Sequence, residues 1–180
     1  MAFNSPRVSI IVRNMPRTNP EHYGRVKDNL AKVAEAVDVH LQSLGRVHFL
    51  AGDLRATRQC FSESLALKEA FVDRWSLAQI YHDIGDLEHY QAETPADFRL
   101  AATWIEKAMA LRRQQGTDQI EYRYNMHRLG QIHLHLGEPQ RAMELFRDCL
   151  ELCLGRETDL RWIATFLVGP AELAMRAGDA

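Results

Sequence analysis

Histidines and cysteines are the residues of this chain that could hold a metal ion or perform acid–base chemistry, and their spacing argues against both. His133 and His135 are two residues apart, which on a helix points their side chains about 200° away from each other. The pairs His40/His48 and His127/His135 are eight residues apart, or about two helical turns, which is too far for one metal ion. The sequence has no His-Glu metal motif, catalytic Ser-Gly motif, glycine-rich phosphate loop or Cys–His cluster. We therefore expect a protein that is not an enzyme and that uses no metal and no cofactor.

The three cysteines predict no disulfide framework, because their number is odd. Cys149 and Cys153 lie four residues apart in a helical stretch, far from Cys60 in the sequence. A closed zinc site needs four ligands, and no four are clustered here. We expect these thiols to be small buried apolar groups in a reducing cytoplasm.

Composition excludes several classes of partner. The chain has 180 residues, 22 Lys+Arg against 24 Asp+Glu, and 46% hydrophobic residues. This charge balance disfavours nucleic-acid binding, which needs a basic excess or patch. The apolar run Ile10–Val12 is far shorter than a membrane span of about 20 residues, and no signal peptide is visible. We expect a cytoplasmic protein with no nucleic-acid partner and no membrane partner.

Four similar turn signals divide the rest of the chain, each a glycine followed by Asp or Glu. These glycines are Gly52, Gly85, Gly137 and Gly178, and seven residues before them lie the small residues Gly45, Ala78, Gly130 and Ala171. Offsets of three, four and seven place side chains on one face of a helix, where small residues let two helices approach. The glycine can end one helix in a left-handed conformation and the acid can cap the next. Each unit is therefore predicted to be a helical hairpin.

The third unit is the most complete: Leu129-Gly130, His133, Gly137, Ala142, Phe146 and Cys149. This pattern resembles the tetratricopeptide repeat over about Val37 to Ala180. The family's tryptophan is absent, its place being taken by Leu41, Arg74 and Met126, and the closing proline is missing. The longer repeats look like those of bacterial signal-transduction ATPases and related transcription regulators. The resemblance implies an all-α fold, a right-handed superhelix of helical hairpins.

The predicted boundaries follow from breakers and helix signals. They are an extended arm at 1–19, a lead helix at 20–36, and a repeat domain at 37–180 with hairpins at about 37–70, 71–117 and 118–157 and a half repeat at 158–180. An insertion interrupts the second hairpin at 87–97; its first part, Leu87–Glu93, is either a loop or a helix extension, and Thr94 to Asp97 form a helix start. The stretch from Pro20 to about Ala51 is either one long helix or two. Since the chain ends in the turn of an unfinished repeat, we expect a fragment of a larger protein.

By resemblance, the first helices of successive hairpins line a concave groove in which a protein or peptide partner binds. The groove residues would be Gln42, Arg46, Trp75, Gln79, His82, Tyr124, His127, Gln131 and His135. They lack the several Lys and Asn residues with which some repeats grip a C-terminal carboxylate. The prediction is a non-enzymatic scaffold or regulatory module that binds a protein or peptide.

Two alternatives stay open. The apolar last helix could pair with a second copy through Trp162, Phe166 and Leu173, giving a homodimer. The chain could also be a ligand-sensing module that controls an attached ATPase or DNA-binding domain.

Overall fold

A computed structural model describes residues 20–71, 74–114, 116, 120–154 and 160–178. These residues form the helices α1 (Pro20–Leu50), α2 (Leu54–Phe71), α3 (Arg74–Gln91), α4 (Pro95–Arg113), α5 (Ile120–His135), α6 (Pro139–Leu154) and α7 (Leu160–Gly178). Within the described part there is no strand, so the predicted all-α class is confirmed. The hand of the superhelix stays a prediction. The arm at 1–19 lies outside the described residues.

α1 is one uninterrupted helix of 31 residues, since nothing between Pro20 and Leu50 breaks its pattern. It ends at Leu50, and in the turn that follows Gly52 has a left-handed φ of 79°, while the Asp53 amide donates to the His48 carbonyl at 2.9 Å. The Asp53 carboxylate then accepts from the Ala56 amide at 3.0 Å and caps α2. The helix stop and start predicted at Gly52 are therefore confirmed.

The turn predicted at Gly85 is wrong, because α3 runs through it to Gln91. A Cβ atom built on Gly85 would lie 2.6 Å from the Ile105 side chain, so this glycine serves the close approach of α3 and α4. Leu87 is fully buried as well, which favours continuing the helix. The start of α4 is as predicted, since Thr94 and Asp97 form a capping box.

The chain divides into two compact units that meet in sequence between Asp83 and Ile84. In the first unit α1 packs on α2, and Gly45 lies against the Phe61 ring, where a Cβ would be only 2.5 Å away. Beside this contact Asp38 accepts hydrogen bonds from Ser64 and Lys68, and all three are buried. A buried charge needs such partners, because its desolvation is otherwise costly.

In the second unit the Phe146 ring lies against glycines of two other helices. A Cβ built on Gly130 of α5 or on Gly169 of α7 would lie 2.4 Å from that ring. Two helices thus reach Phe146 only because each presents a glycine. This contact fixes α5 and α7 beside α6 and positions the cleft described below.

Among the described helices, none combines the length and the apolar character that crossing a bilayer requires.

Candidate peptide-binding surface

Three of the predicted groove residues converge on one carboxylate in the first unit. Asp83, on α3, accepts from Gln42 Nε2 at 2.7 Å, from Arg46 at 3.0 Å and from Gln79 Nε2 at 3.2 Å. Asp83 is buried, whereas the Arg46 side chain is about half exposed. The Arg46 guanidinium is therefore accessible to solvent, but Asp83 neutralises its charge.

A second acid–base cluster lies in the second unit. Arg128 on α5 donates through Nε to Asp86 at 2.7 Å and through a terminal nitrogen to the Gln131 side-chain oxygen at 2.9 Å. Both partners of the ion pair are partly buried. Since the Gln131 oxygen already accepts from Arg128, the NH2 group, which donates, is the part of this side chain left to bind a ligand.

Beside this cluster a cleft of about 210 Å³ opens between α5 and α7. The residues that line it are Tyr124, His127, Arg128, Gln131, Thr165 and Val168. Three of them, Tyr124, His127 and Gln131, are groove residues predicted from the sequence. These side chains share one face of α5, as offsets of three, four and seven require.

Aromatic rings form the floor of the cleft. Tyr124 meets Phe166 edge-on with ring centroids 5.4 Å apart, and His127 lies 5.6 Å from the same ring. Burial raises the pKa of the Tyr124 hydroxyl above its usual value of 10.0; the Arg128 charge opposes this shift and the Asp86 charge adds to it. The hydroxyl therefore stays protonated at neutral pH and can donate a hydrogen bond.

The other predicted groove residues do not join the cleft. His135 stacks on Phe98 of α4, with ring centroids 4.7 Å apart and planes 5° from parallel, and His89 lies 5.4 Å from it. His82 is half-buried on α3. The Trp75 side chain lies outside the described residues.

The residues predicted for self-association are placed only in part. Phe166 is 1% exposed and packs against Tyr124 and His127 within its own chain, so its ring is not on the surface. The side chains of Trp162 and Leu173 lie outside the described residues. The apolar groups that α7 does expose include Leu167, Val168 and Met175.

All three cysteines are buried thiols that form no disulfide. Burial, with a smaller effect of Cys153, raises the pKa of the Cys149 thiol to about 12, and burial raises the pKa values of Cys60 and Cys153 as well. Thiols in this state are poor nucleophiles. Within the described part of the chain, no three His, Cys, Asp or Glu residues are grouped closely enough to hold a metal ion.

Asp83, Asp86 and Arg128 are the interacting residues that sequence reasoning misses. Their spacing carries a signal, because Asp83 follows Gln79 by four residues and Arg128 follows Tyr124 by four, which puts each pair on one helix face. The repeat pattern assigns Asp86 to a turn, whereas it lies inside α3, and this hides its role.

One segment of the chain matches a known protein family. Residues 126–154 match the family model of the tetratricopeptide repeat, a segment that runs from within α5 to the end of α6. No curated protein matches the chain. Tetratricopeptide repeats are typically non-catalytic and mediate binding between proteins. The chain thus contains a tetratricopeptide repeat at residues 126–154, the segment in which the sequence pattern is most complete.

Proposed function

We propose that this chain is a protein-interaction module that binds an extended peptide segment of its partner, and that one partner side chain enters the cleft between α5 and α7. The cleft is the observation that carries this proposal. It lies beside the matched repeat, and three residues predicted for binding line it.

The size of the cleft favours a single side chain over a small-molecule ligand. Pockets for drug-sized ligands have volumes of about 300–1,000 Å³, whereas this cleft has about 210 Å³. A peptide can place one side chain there while its backbone continues along α5. Gln131 lies at the cleft and can donate a hydrogen bond to that backbone.

The charges around the cleft favour an uncharged side chain. Among the described residues that line it, Arg128 alone has a permanent charge, and Asp86 balances it. An acidic side chain would compete with Asp86 for the Arg128 guanidinium. A basic side chain would be repelled by that guanidinium. An aromatic or aliphatic side chain would instead pack on Tyr124 and Val168, where rigid aromatic anchors contribute strongly to binding.

A pair of neighbouring residues on α7 offers a matched test. Val168 lines the cleft and Leu167 does not, although both are about half exposed. Peptides selected from a random display library should bind Val168→Asp at least about tenfold more weakly than wild type, which is about 1.4 kcal/mol. Leu167→Asp should bind them as wild type does. Isothermal titration of both variants measures the difference.

Two results would contradict the proposal. Equal weakening by both variants would mean that the effect is general to α7 and not specific to the cleft. If no cleft variant weakened the binding of the selected peptides, the peptides would bind at another surface. Circular dichroism of each variant checks that helicity is kept.

The narrower roles rest on the resemblance alone. A regulatory task in signal transduction, control of an attached ATPase or DNA-binding domain, and a cytoplasmic location stay predictions. An interaction screen tests the first two, and cell fractionation tests the third.

A further inference from the structure

α1 has a second apolar face that points away from α2. It consists of Leu30, Val33, Val37, His40, Leu44 and Val47, which we call the α1 seam. Val33, Val37, Leu44 and Val47 are 60%, 45%, 47% and 60% exposed. His40 is exposed too. Isolated exposed apolar residues are ordinary, but a continuous row of them marks an interaction surface.

The spacing of the seam is that of a helix that pairs with another helix. Successive members are separated by three, four, three, four and three residues, the alternation that repeats every seven residues in helix pairs. The seam contains no Lys, Arg, Asp or Glu. The exposed charged residues Lys32, Glu35 and Arg46 lie on other faces of the helix.

The third hairpin shows what this face does when a helix covers it. Positions in α5 correspond to those in α1 at an offset of 85 residues (129 − 44), so Val37, Leu44 and Val47 correspond to Tyr122, Leu129 and Ile132. The three α5 residues are buried in one cluster with residues of α4, including Ile105 and Met109. In α5 this face is therefore buried in a core to which the preceding helix contributes.

That preceding helix runs antiparallel to α5. α4 ends at Arg113 and α5 begins at Ile120, and consecutive packed helices with so short a connection form an antiparallel hairpin. By its correspondence with α5, the α1 seam is built to receive an antiparallel helix.

We propose that the occupant is the α1 seam of a second copy of this chain, packed antiparallel to the first. Each heptad of the seam has two apolar positions, and in an antiparallel pair the first position of one helix packs against the second position of the other. In this register, residues whose numbers add to 77 face each other. Leu30 then faces Val47 of the second copy, Val33 faces Leu44, and Val37 faces His40. Every leucine meets a valine, so a large side chain always packs beside a smaller one.

Charge and local bonding favour this partner. Two identical faces repel when each carries the same charge, and the seam carries no acid or permanent cation. The Nδ1 atom of His40 lies 2.6 Å from the Ala36 carbonyl oxygen and donates to it, which lowers the cost of enclosing the imidazole. Beside the seam Ala36 and Ser43 are small and exposed, so two helices can approach closely.

The length of the seam sets the expected strength. From Leu30 to Val47 it extends about 26 Å along the helix, at 1.5 Å per residue. A strip of that length and one helix wide lies near the low end of specific interfaces, so we expect a reversible dimer with a Kd on the order of micromolar.

The first test is sedimentation equilibrium of the full chain over about 1–100 μM, the range around that expected Kd. Wild type should pass from monomer to dimer, and Leu44→Glu should remain a monomer because a buried glutamate is costly. Leu100→Glu is the matched control: Leu100, on α4, is 46% exposed against 47% for Leu44. This control should dimerise as wild type does. A monomeric wild type, or a Leu44→Glu variant that dimerises normally, would overturn the proposal.

The second test fixes the direction of the helices. Val33→Glu and Leu44→Lys should each be monomeric, and an equimolar mixture should form a heterodimer because the new charges face each other in the antiparallel register. A parallel pair would place the substituted position 33 of one copy beside the unchanged Val33 of the other. The new charges would then not meet, so mixing would not restore dimerisation. A mixture that stays monomeric would therefore overturn the antiparallel arrangement. These experiments use no peptide, so their failure is independent of the cleft.

Discussion

The first hairpin, α1 with α2, and the third, α5 with α6, share a glycine–ring contact in their interiors. Gly45 meets Phe61 in one and Gly130 meets Phe146 in the other, and in both a Cβ on the glycine would lie within 2.5 Å of the ring. These contacts depend only on residues of the same hairpin. They therefore recur wherever the short-range spacing recurs.

The outer faces of the two hairpins differ. Leu44 is 47% exposed, whereas its counterpart Leu129 is 4% exposed. The residue type is the same at both positions, so the difference comes from the neighbouring helix. An outer face in a repeat is thus defined by what packs on it, and an uncovered one is available for a partner.

The polar interiors differ as well. In the first hairpin three buried positions hold Asp38, Ser64 and Lys68, and in the third the same positions hold Arg123, Cys149 and Cys153. The first set is joined by an ion pair, whereas in the third Cys149 donates to the Arg123 carbonyl oxygen at 3.4 Å. The same interior positions therefore hold an ion pair with a serine in the first hairpin and an arginine with two thiols in the third.

The largest expected effect is loss of the phenylalanine ring that each hairpin packs against its glycine. Phe146→Ala should lower the free energy of unfolding by about 3–5 kcal/mol, because two glycine contacts become a cavity. Phe61→Ala should cost a similar amount or slightly less, since only Gly45 is known to approach it so closely. Urea denaturation measures both. Met143→Ala, at an exposed position of α6, is the control and should change stability by less than about 0.5 kcal/mol.

Next is the buried ion pair of the first hairpin. Lys68→Met alone should cost about 3 kcal/mol, because it leaves the Asp38 carboxylate buried without its cation. The double variant Asp38→Leu/Lys68→Met should recover most of that loss, since apolar side chains of similar size can replace a buried pair, but it leaves the buried Ser64 hydroxyl without its acceptor. A double variant as unstable as the single one would show that the space requires the charges. Chemical denaturation decides between these outcomes.

The leucine pair tests the outer faces directly. Leu129→Ala should cost about 2–4 kcal/mol because Leu129 is enclosed between α5 and its neighbours. Leu44→Ala, measured at low protein concentration, should cost less than about 1 kcal/mol because Leu44 is half exposed. Equal losses at the two positions would mean that the outer face of α1 is covered within the monomer.

The smallest expected difference concerns the acids after the two turn glycines. Asp53 caps α2 with its side chain, so Asp53→Ala should lower stability by about 1 kcal/mol. Glu138 instead lies 2.6 Å from His133 Nδ1 in an exposed pair, and Glu138→Ala should cost less than about 0.5 kcal/mol. Thermal unfolding of the two variants resolves the order, and the reverse order would contradict it.

Short-range features were predictable from the sequence. The glycine stops at Gly52 and Gly137 and the capping box at Thr94 all follow from offsets of a few residues. Helix propensity and capping act over that distance, so one sequence is enough to find them.

Features that depend on distant residues were not predictable. The turn assigned to Gly85 is wrong because Ile105, twenty residues later, packs on that glycine and favours a continuous helix. Gln42 and Arg46 both bind Asp83, which is 41 and 37 residues away in the sequence. Such pairings are set by how helices meet, and repeat spacing does not encode which polar groups then bond.

Cross-linking of α1 to itself measures most directly whether its outer face takes a second copy. A short bifunctional maleimide should link His40→Cys into a dimer, because position 40 lies only three residues from its counterpart in the antiparallel register, or about 4.5 Å along the helix. Val47→Cys should link poorly, since its counterpart is seventeen residues away, or about 25 Å. Wild type, whose cysteines are buried, is the control and should give no dimer. Equal linking of the two variants, or linking of neither, would contradict antiparallel pairing of the α1 seam.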